Sequence, residues 1–548
     1  MPELQQDFDY VVVGAGTAGC VLAARLTEDP RMRVCLIEAG GSGRSRYVDI
    51  PAAIVLAQRS AELNWGFQTA PQPHLDGRRI PVPRGRGLGG SGLINGMVYF
   101  RGHPHDYDAW ASAGADGWSH RDVLPYFRKS EHNENFGPSV FHGRGGPINV
   151  RTITHPNALN FAFIEALRSL GYPSRDDLTG ADTEGAALRQ VTIRGGRRDS
   201  TARALLRPAL ERSNLTVLTR TRATRVILEG HRARAVEALG ERGRIVVTAA
   251  REVILCAGAV QSPQLLMLSG IGDPEHLASV GIEVRHALPG VGRNLHDHLA
   301  SPIFMRMADS TSYGLSWRAL PRDLSDLASY LLLRRGPLAN NIFESAAFVR
   351  SRPGLEKPDV QLVFQPATRP PPSFPFPVGH GFAVSPVGLY PASRGRLTLA
   401  SADPLAPPRI DPNLLSAPQD IEPLLRGIRL GRQIFAAPPF ARFKAEETAP
   451  GPAVQSDADL AAYIRSSAYT VHHPVSTCRM GRDPLAVVDP ALNVMGLEGL
   501  RVADASVFPS IVGGNTNAVV VMVAEKAADL ILGRAALAPE ALEPPGGG

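Results

Sequence analysis

The chain has 548 residues, 44% of them hydrophobic and 20% charged, with a formal net charge of +6. That length gives room for two domains, or one large domain with an insertion, and the composition excludes a disordered chain. The positive charge is a weak signal: apart from Lys129, Lys357, Lys444 and Lys526, the basic residues are scattered arginines. Even the densest group (Arg194, Arg197, Arg198, Arg203, Arg207) is interleaved with Gly and Ala, so no nucleic-acid partner is expected.

In chain order, Tyr10-Val11-Val12-Val13 reads as a strand covered on both faces, followed by Gly14-Ala15-Gly16-Thr17-Ala18-Gly19 and a helix through Leu26. Val34 to Ile37 reads as a second parallel strand with Glu38 at its tip. Residues 46–150 are rich in Gly, Pro and His with little periodicity, the pattern of loops that wrap a ligand. Strand-like runs return at Leu215–Leu218, Ala223–Leu228 and Glu252–Leu255, and a helix is expected from Gln264 after Pro263. Asp359–Gln365 and Arg396–Ala400 alternate like antiparallel strands, whereas Arg369–Pro377 (RPPPSFPFP) reads as a loop over a pocket. Ser456 and Asp459 form a capping box for a short helix to about Ser467, and residues 538–548 read as a disordered tail. No internal repeat is visible.

No basic patch followed by an apolar core opens the chain, so no secretory signal is expected. The apolar run Ala518–Leu532 is broken by Glu525, Lys526 and Asp529, so no spanning helix is expected either. Cys20, Cys35, Cys256 and Cys478 lack paired C-x-x-C spacing and read as reduced thiols, with no metal site. A cytoplasmic protein is the expectation, and contact with a membrane surface stays open.

Gly14, Gly16 and Gly19 fall where a strand turns into a helix. The first allows the tight turn, the second lets a pyrophosphate approach the backbone, and the third allows close helix packing. Thr17 and Ala18 open the helix whose N–H groups would face the phosphates. Glu38, nineteen residues beyond Gly19, is placed to accept hydrogen bonds from ribose hydroxyls. These residues point to a dinucleotide and leave FAD and NAD unseparated.

The segment from Gly85 to Asp108, containing Gly89-Gly90-Ser91-Gly92-Leu93-Ile94-Asn95-Gly96-Met97-Val98, resembles the first signature of the glucose–methanol–choline (GMC) oxidoreductases. Gly258-Ala259-Val260-Gln261-Ser262-Pro263 through Gly272 resembles their second, and the likeness runs from about Phe8 to about Leu532. The resemblance implies FAD, with contacts at Gly14, Gly16, Thr17, Ala18, Gly19, Glu38, Asn95, Gly96, Met97, Val98, Ala223, Asp504 and Ala505. Trp65 is an open case between cofactor wall and core. Position 94 is Ile where some members carry the His that attaches flavin, so non-covalent FAD is expected.

By motif position, His473 in His472-His473-Pro474 is the catalytic histidine and Asn517 its carboxamide partner. An imidazole titrating near neutrality can take a hydroxyl proton without a large pKa shift, and a carboxamide can bond the developing alkoxide. His472 is read as shaping the pocket, and His74, His103, His105, His296 and His298 as structural. Ser476 stands where many relatives have Gly, Val519 where many have Pro, and Leu93 where a small residue is more usual.

The resemblance implies an α/β fold: a Rossmann-like FAD-binding domain of discontinuous segments and a substrate domain with an antiparallel sheet and helices. Its boundaries are expected at 1–300 for the FAD part, 301–480 for the substrate part and 481–535 for a return to the FAD domain. The expected reaction is oxidation of a primary alcohol to an aldehyde, with oxygen or a quinone as acceptor. The alternatives are a lyase of the hydroxynitrile type or a fatty-acid photodecarboxylase on the same fold. Choline would need a carboxylate or aromatic cage for its ammonium. Glu344 is the candidate, but its structural reading is preferred and choline is not proposed.

Overall fold

The computed structural model describes residues 8–371 and 374–541. The apolar strand Phe8–Val13 lies inside a seven-stranded sheet, covered on both faces as its unbroken hydrophobicity requires. It pairs in parallel with Val34–Ile37 on one side and with the end of Gly243–Leu255 on the other. Leu215–Leu218 extends the parallel set beyond Val34–Ile37, and Leu500–Val502 adds to Val253–Leu255. The first half of Gly243–Leu255 instead pairs antiparallel with Arg232–Gly240, which pairs with Arg222–Glu229.

Helix Thr17–Leu26 packs on helix Asn517–Ile531, so the two ends of the chain share one core. The charges that interrupt this apolar C-terminal helix are all engaged. Glu525, fully buried, accepts from Arg25 Nε and Nη2 at 2.9 Å each, and Lys526 Nζ lies 5.2 Å and 5.1 Å from the ring centres of Trp118 and Tyr126.

The second sheet is antiparallel, in the order Glu446–Ala449, Ile303–Met307, His380–Gly388, Val360–Gln365, Ser345–Val349, Gly185–Leu188. Helices Ala158–Ser169 and Glu422–Ala436 cover one face of it. The layers therefore do not divide at residue 300. Residues 158–169 and 185–188, expected within the FAD part, belong to the antiparallel layer because their apolar side chains join its core. The strand expected at Arg396–Ala400 runs instead over Gly395–Thr398 and lies in a separate three-stranded sheet with Arg293–Leu295 and Arg409–Asp411.

Two helices contain a proline that sequence reading treats as a boundary. Helix Gly258–Leu268 begins six residues before the expected start and keeps Pro263 inside. The carbonyl that Pro263 cannot bond, that of Ala259, accepts from Thr477 Oγ1 at 2.7 Å. Within 46–150, helix His120–Ser130 keeps Pro125, and the freed Arg121 carbonyl accepts from the Glu540 N–H at 2.9 Å. That contact, with the Glu540–Arg128 ion pair, fixes the first residues of the expected tail; 542–548 lie outside the described residues. The 46–150 stretch is thus more regular than expected, with Pro104–Ser112 a further helix. None of the described residues of 369–377 lines the large cavity described below, so this loop does not cover it, and residues 372–373 lie outside the described set. Ser456 caps helix Asp457–Ser467, its Oγ accepting from the Asp459 N–H at 3.1 Å.

Two backbone positions carry measurable consequences. A Cβ at Gly19 would sit 1.9 Å from the Gly14 carbonyl oxygen, so Gly19→Ala must push helix Thr17–Leu26 off the strand. A loss of about 1–3 kcal/mol or more is expected in denaturant unfolding. Ser476 adopts φ +73°, and its buried Oγ has no hydrogen-bond partner. Ser476→Gly removes both penalties and is expected to raise stability by about 1 kcal/mol, read as a higher thermal midpoint.

Candidate active site

Parallel strands deliver their carboxyl ends to one edge of the sheet, where helix N-termini and turn backbones can meet a ligand. Here Val13, Ile37, Leu255 and Val502 end in register, and the residues that follow them open one large cavity. Gly14, Gly16, Thr17, Ala18, Glu38, Asn95, Gly96, Met97, Val98, Ala223, Asp504, Ala505, His473 and Asn517 all line it. Gly19 does not; its role is the close packing on Gly14.

The cradle end is built from close backbone approaches. Gly14 adopts φ +98°, and a Cβ there would meet the Cys256 carbonyl at 2.7 Å. The second glycine-rich loop rests on the first, where a Cβ at Gly90 would come within 2.6 Å of the Gly16 Cα. Helix Thr17–Leu26 starts at Gly16 without a side-chain cap, leaving its first N–H groups to the cavity. Glu38 accepts from the N–H groups of Ala15 (2.9 Å), Gly40 (2.7 Å) and Gly87 (2.9 Å), which locks its carboxylate beside the cavity. Burial pushes its pKa up, and those N–H groups oppose the shift. Trp65 also lines the cavity, with the guanidinium carbons of Arg86 and Arg222 at 5.0 Å and 5.2 Å from a Trp65 ring centre. These features suit a dinucleotide: an uncapped helix end for pyrophosphate, a fixed carboxylate for ribose and a flat aromatic wall.

Asp504 lines the cavity with its oxygens already spent. One accepts from Gly258 N–H and Ser262 Oγ, the other from Ser506 N–H and Oγ. Its part in holding a ligand therefore falls to the backbone at 504–505. Asn95 Oδ1 accepts from Met97 N–H and from Arg198 Nη1, fixing the turn in which Met97 takes φ +57°.

The other end of the cavity holds histidines. His298 Nε2 lies 2.9 Å from the Leu389 carbonyl, which can only accept, so that nitrogen carries the proton. Burial holds the His298 pKa down at about 4, so its Nδ1 is bare and accepts. His473 Nδ1 lies 3.0 Å from it and is the donor, which leaves His473 Nε2 unprotonated. The carboxamide at that nitrogen is Asn515, its Nδ2 at 3.2 Å and its Oδ1 buried without a partner.

This corrects the expected pairing of His473 with Asn517. Asn517 opens the C-terminal helix and accepts from Thr17 Oγ1 at 2.9 Å, pinning that helix to the cradle instead. His473 also differs from the expected near-neutral titration: burial, then the charges of His298, His472, Arg84 and Arg189, hold its pKa well below 6.5. The ring therefore stays neutral.

Its backbone is held as firmly as its ring. Asp297 Oδ1 accepts the His473 N–H at 2.7 Å, and Arg84 Nη2 donates to the His472 carbonyl at 2.6 Å. His472, with φ +68°, lines the cavity wall as expected. His296 is structural, with Nδ1 donating to the Asn294 carbonyl and Nε2 accepting from Ile511 N–H. His298 is not, and the sequence signal for it was faint: His296-Asp297-His298 is a polar triplet buried to within 4% in an apolar stretch.

Glu344 is absent from the cavity lining. Its carboxylate accepts from Asn157 N–H (2.9 Å), Asn160 Nδ2 (2.5 Å) and Tyr313 OH (2.8 Å), and burial raises its pKa to about 7. It is a structural carboxyl. Among the described residues no cluster of His, Cys, Asp and Glu is arranged to hold a metal, no helix is long and apolar enough to cross a membrane, and the four cysteines are buried free thiols.

Two family models, each described as GMC oxidoreductase, match residues 8–300 and 391–524. The chain is 45% identical over 527 residues to an alcohol dehydrogenase (acceptor) of Pseudomonas putida, covering 96% of each. It is 43% identical to an oxygen-dependent choline dehydrogenase of Rhizobium etli, covering 98% of this chain and 97% of that one. Among solved structures it resembles pyridoxine 4-oxidase from Mesorbium loti, with a TM-score of 0.86 and 35% identity over 95% of this chain and 98% of the other. The glycine cradle, the fixed Glu38 and the His473 pocket thus sit in a chain that belongs to the GMC oxidoreductase family, an FAD-dependent oxidoreductase acting on CH–OH groups.

Proposed function

We propose that the protein oxidises a primary alcohol to an aldehyde, with His473 as the general base and Asn515 as the group that steadies the alkoxide. FAD, held without a covalent bond past Ile94, supplies the hydride acceptor when bound. The observation that carries the reading is the ring-to-ring hydrogen bond at 3.0 Å, which fixes the His473 tautomer and turns a bare Nε2 toward Asn515.

An alcohol hydroxyl placed between those two side chains gives its proton to His473 Nε2. Asn515 Nδ2 donates to the oxygen as negative charge grows on it, without competing for the proton. His473 Nδ1 keeps donating to His298 throughout, so the ring does not have to turn to do its work. The substrate then loses its α-hydrogen as hydride, and its carbon–oxygen bond becomes a carbonyl. Cleavage without net oxidation, as in a lyase, would not consume the hydride.

Among the described residues no free carboxylate in this cavity offers itself to the ammonium of choline, although Phe343 and Tyr469 line it. Its acidic lining residues, Glu38 and Asp504, have their oxygens engaged by the protein at the cradle end, and Glu344 faces away. Electrons leave to oxygen or to a quinone-like acceptor.

Anaerobic mixing with a panel of alcohols is expected to bleach the oxidised flavin band, and later admission of oxygen or a dye identifies the acceptor. A flavin that stays oxidised while substrate is consumed would mean a lyase. His473→Ala is expected to slow bleaching by roughly two to four orders of magnitude. Asn515→Ala should cost about two to three orders and exceed the effect of Asn517→Ala.

The pH dependence has a definite sign. The neutral imidazole is the active form and burial lowers its pKa, so protonation disables it only below 6.5. In Asp297→Asn, which removes the carboxyl that titrates at about 7 against the His473 N–H, the bleaching rate should be level through neutral pH and fall on the acid side of 6.5; a limb above 7 in that variant would contradict the neutral, buried base.

A further inference from the structure

One charged group in the cavity has no counterpart. Arg189 lies in the short link between strands Gly185–Leu188 and Gln190–Val191, its N–H donating to the Glu344 carbonyl and its carbonyl accepting from Ile153 N–H. The side chain turns into the cavity near Val98, Gln361 and Asn515, and it is 6% exposed. Its Nε and Nη2 are buried without a hydrogen-bond partner.

The other guanidiniums at the cavity are engaged. Arg84 donates to the carbonyls of Pro83 and His472 at 2.6 Å each and feels Asp297, and Arg222 lies against Trp65 toward the cradle. Among the described residues no carboxylate acts on Arg189: burial alone moves its pKa, down to about 9. A buried guanidinium is costly unless an anion meets it, and its planar fork matches a carboxylate with two parallel N–H bonds. Its charge is close enough to count among those that depress His473, so such an anion would sit near the reacting hydroxyl.

Resting on the alcohol-oxidation reading above, we propose that Arg189 binds the carboxylate of the substrate, which is a primary alcohol that also carries an acid group. The guanidinium, which lines the cavity, holds the carboxylate while the hydroxyl end reaches His473 and Asn515. The apolar wall of Ile342, Phe343 and Val363 takes the carbon between them. Binding at Arg189 leaves the redox step unchanged: the hydroxyl proton goes to His473, the hydride to the flavin, and the product is an oxo acid.

The test uses the FAD-loaded enzyme and pairs of primary alcohols alike in length, one neutral and one ending in a carboxylate. In wild type the hydroxy acid should show the higher kcat/KM for anaerobic flavin reduction. In Arg189→Met the ratio of acid to neutral kcat/KM should fall about 30-fold or more, chiefly through KM, with partial recovery in Arg189→Lys. A second readout needs no turnover: acetate and propionate should perturb the oxidised flavin spectrum of wild type and compete with substrate. That titration decides the matter even if the Met variant fails to fold.

If neither kind of alcohol bleaches wild type, the alcohol-oxidation reading itself fails. If neutral alcohols bleach it while hydroxy acids gain nothing and carboxylates do not bind, the Arg189 proposal is overturned. It is also overturned if Arg189→Met slows both substrates in parallel, which would mark a charge that acts on the flavin.

Discussion

The site depends on a three-residue strand. Leu500–Val502 pairs in parallel with Val253–Leu255, and so brings the chain's last fifty residues level with Gly14 and Glu38 at the sheet's carboxyl edge. From that pairing Asp504 reaches Gly258, Cys478 N–H reaches the Ser506 carbonyl, and the Asn517 helix docks against Thr17. His473 lies in the segment just before, held by Asp297. A slip of one residue in that register would turn every side chain over and separate His473 from the cradle.

The chemistry at the far end of the cavity is a problem of keeping charge out. Burial lowers the pKa of His296 and His472 to about 3 and of His298 to about 4, so these rings are neutral donors and acceptors. Asp297 is pushed up to about 7, with Arg84 and the N–H groups of His473 and His298 working against that shift. For such an acid the raised pKa favours the folded state while the carboxyl is protonated, and this advantage is lost as pH climbs from about 4 to about 7.

Much of this was legible in the residues. The strand–glycine–helix opening and Glu38 carried both local geometry and chemistry, because at Gly14 and Gly19 a Cβ would strike neighbouring backbone. The antiparallel layer was visible in outline from Asp359–Gln365, but not the strand at 185–188, whose Gly-Ala-Ala-Leu has little β character. The helices through Pro125 and Pro263 escaped because proline is a local breaker only until something distant takes the freed carbonyl. Glu540 and Thr477 do so, and neither is near in sequence.

The misassigned carboxamide has a similar cause. Asn515 and Asn517 differ by two positions in Gly-Asn-Thr-Asn-Ala, and what separates them is where the helix begins. Because it begins at Asn517, that side chain is drawn to Thr17, and Asn515 is left in the turn before the helix, facing His473.

The choice of a histidine rather than a carboxylate behind His473 has an electrostatic consequence. A carboxylate at Nδ1 would fix the same tautomer but also raise the pKa of the base and hold the proton it gains. His298 orients the ring with a neutral acceptor and adds no negative charge, so on the proposed reaction the imidazolium formed by proton abstraction would meet no negative charge at Nδ1 and would lie near Arg84 and Arg189. Two things can balance it: the negative charge that leaves the substrate with the hydride, or an anion already on Arg189. The first ties proton removal to hydride loss, because an alkoxide that lingered would recover its proton from a strongly acidic neighbour. If His473 is the base, this arrangement would favour closely coupled cleavage of the O–H and C–H bonds, a consequence of which nitrogen on His298 bears its hydrogen.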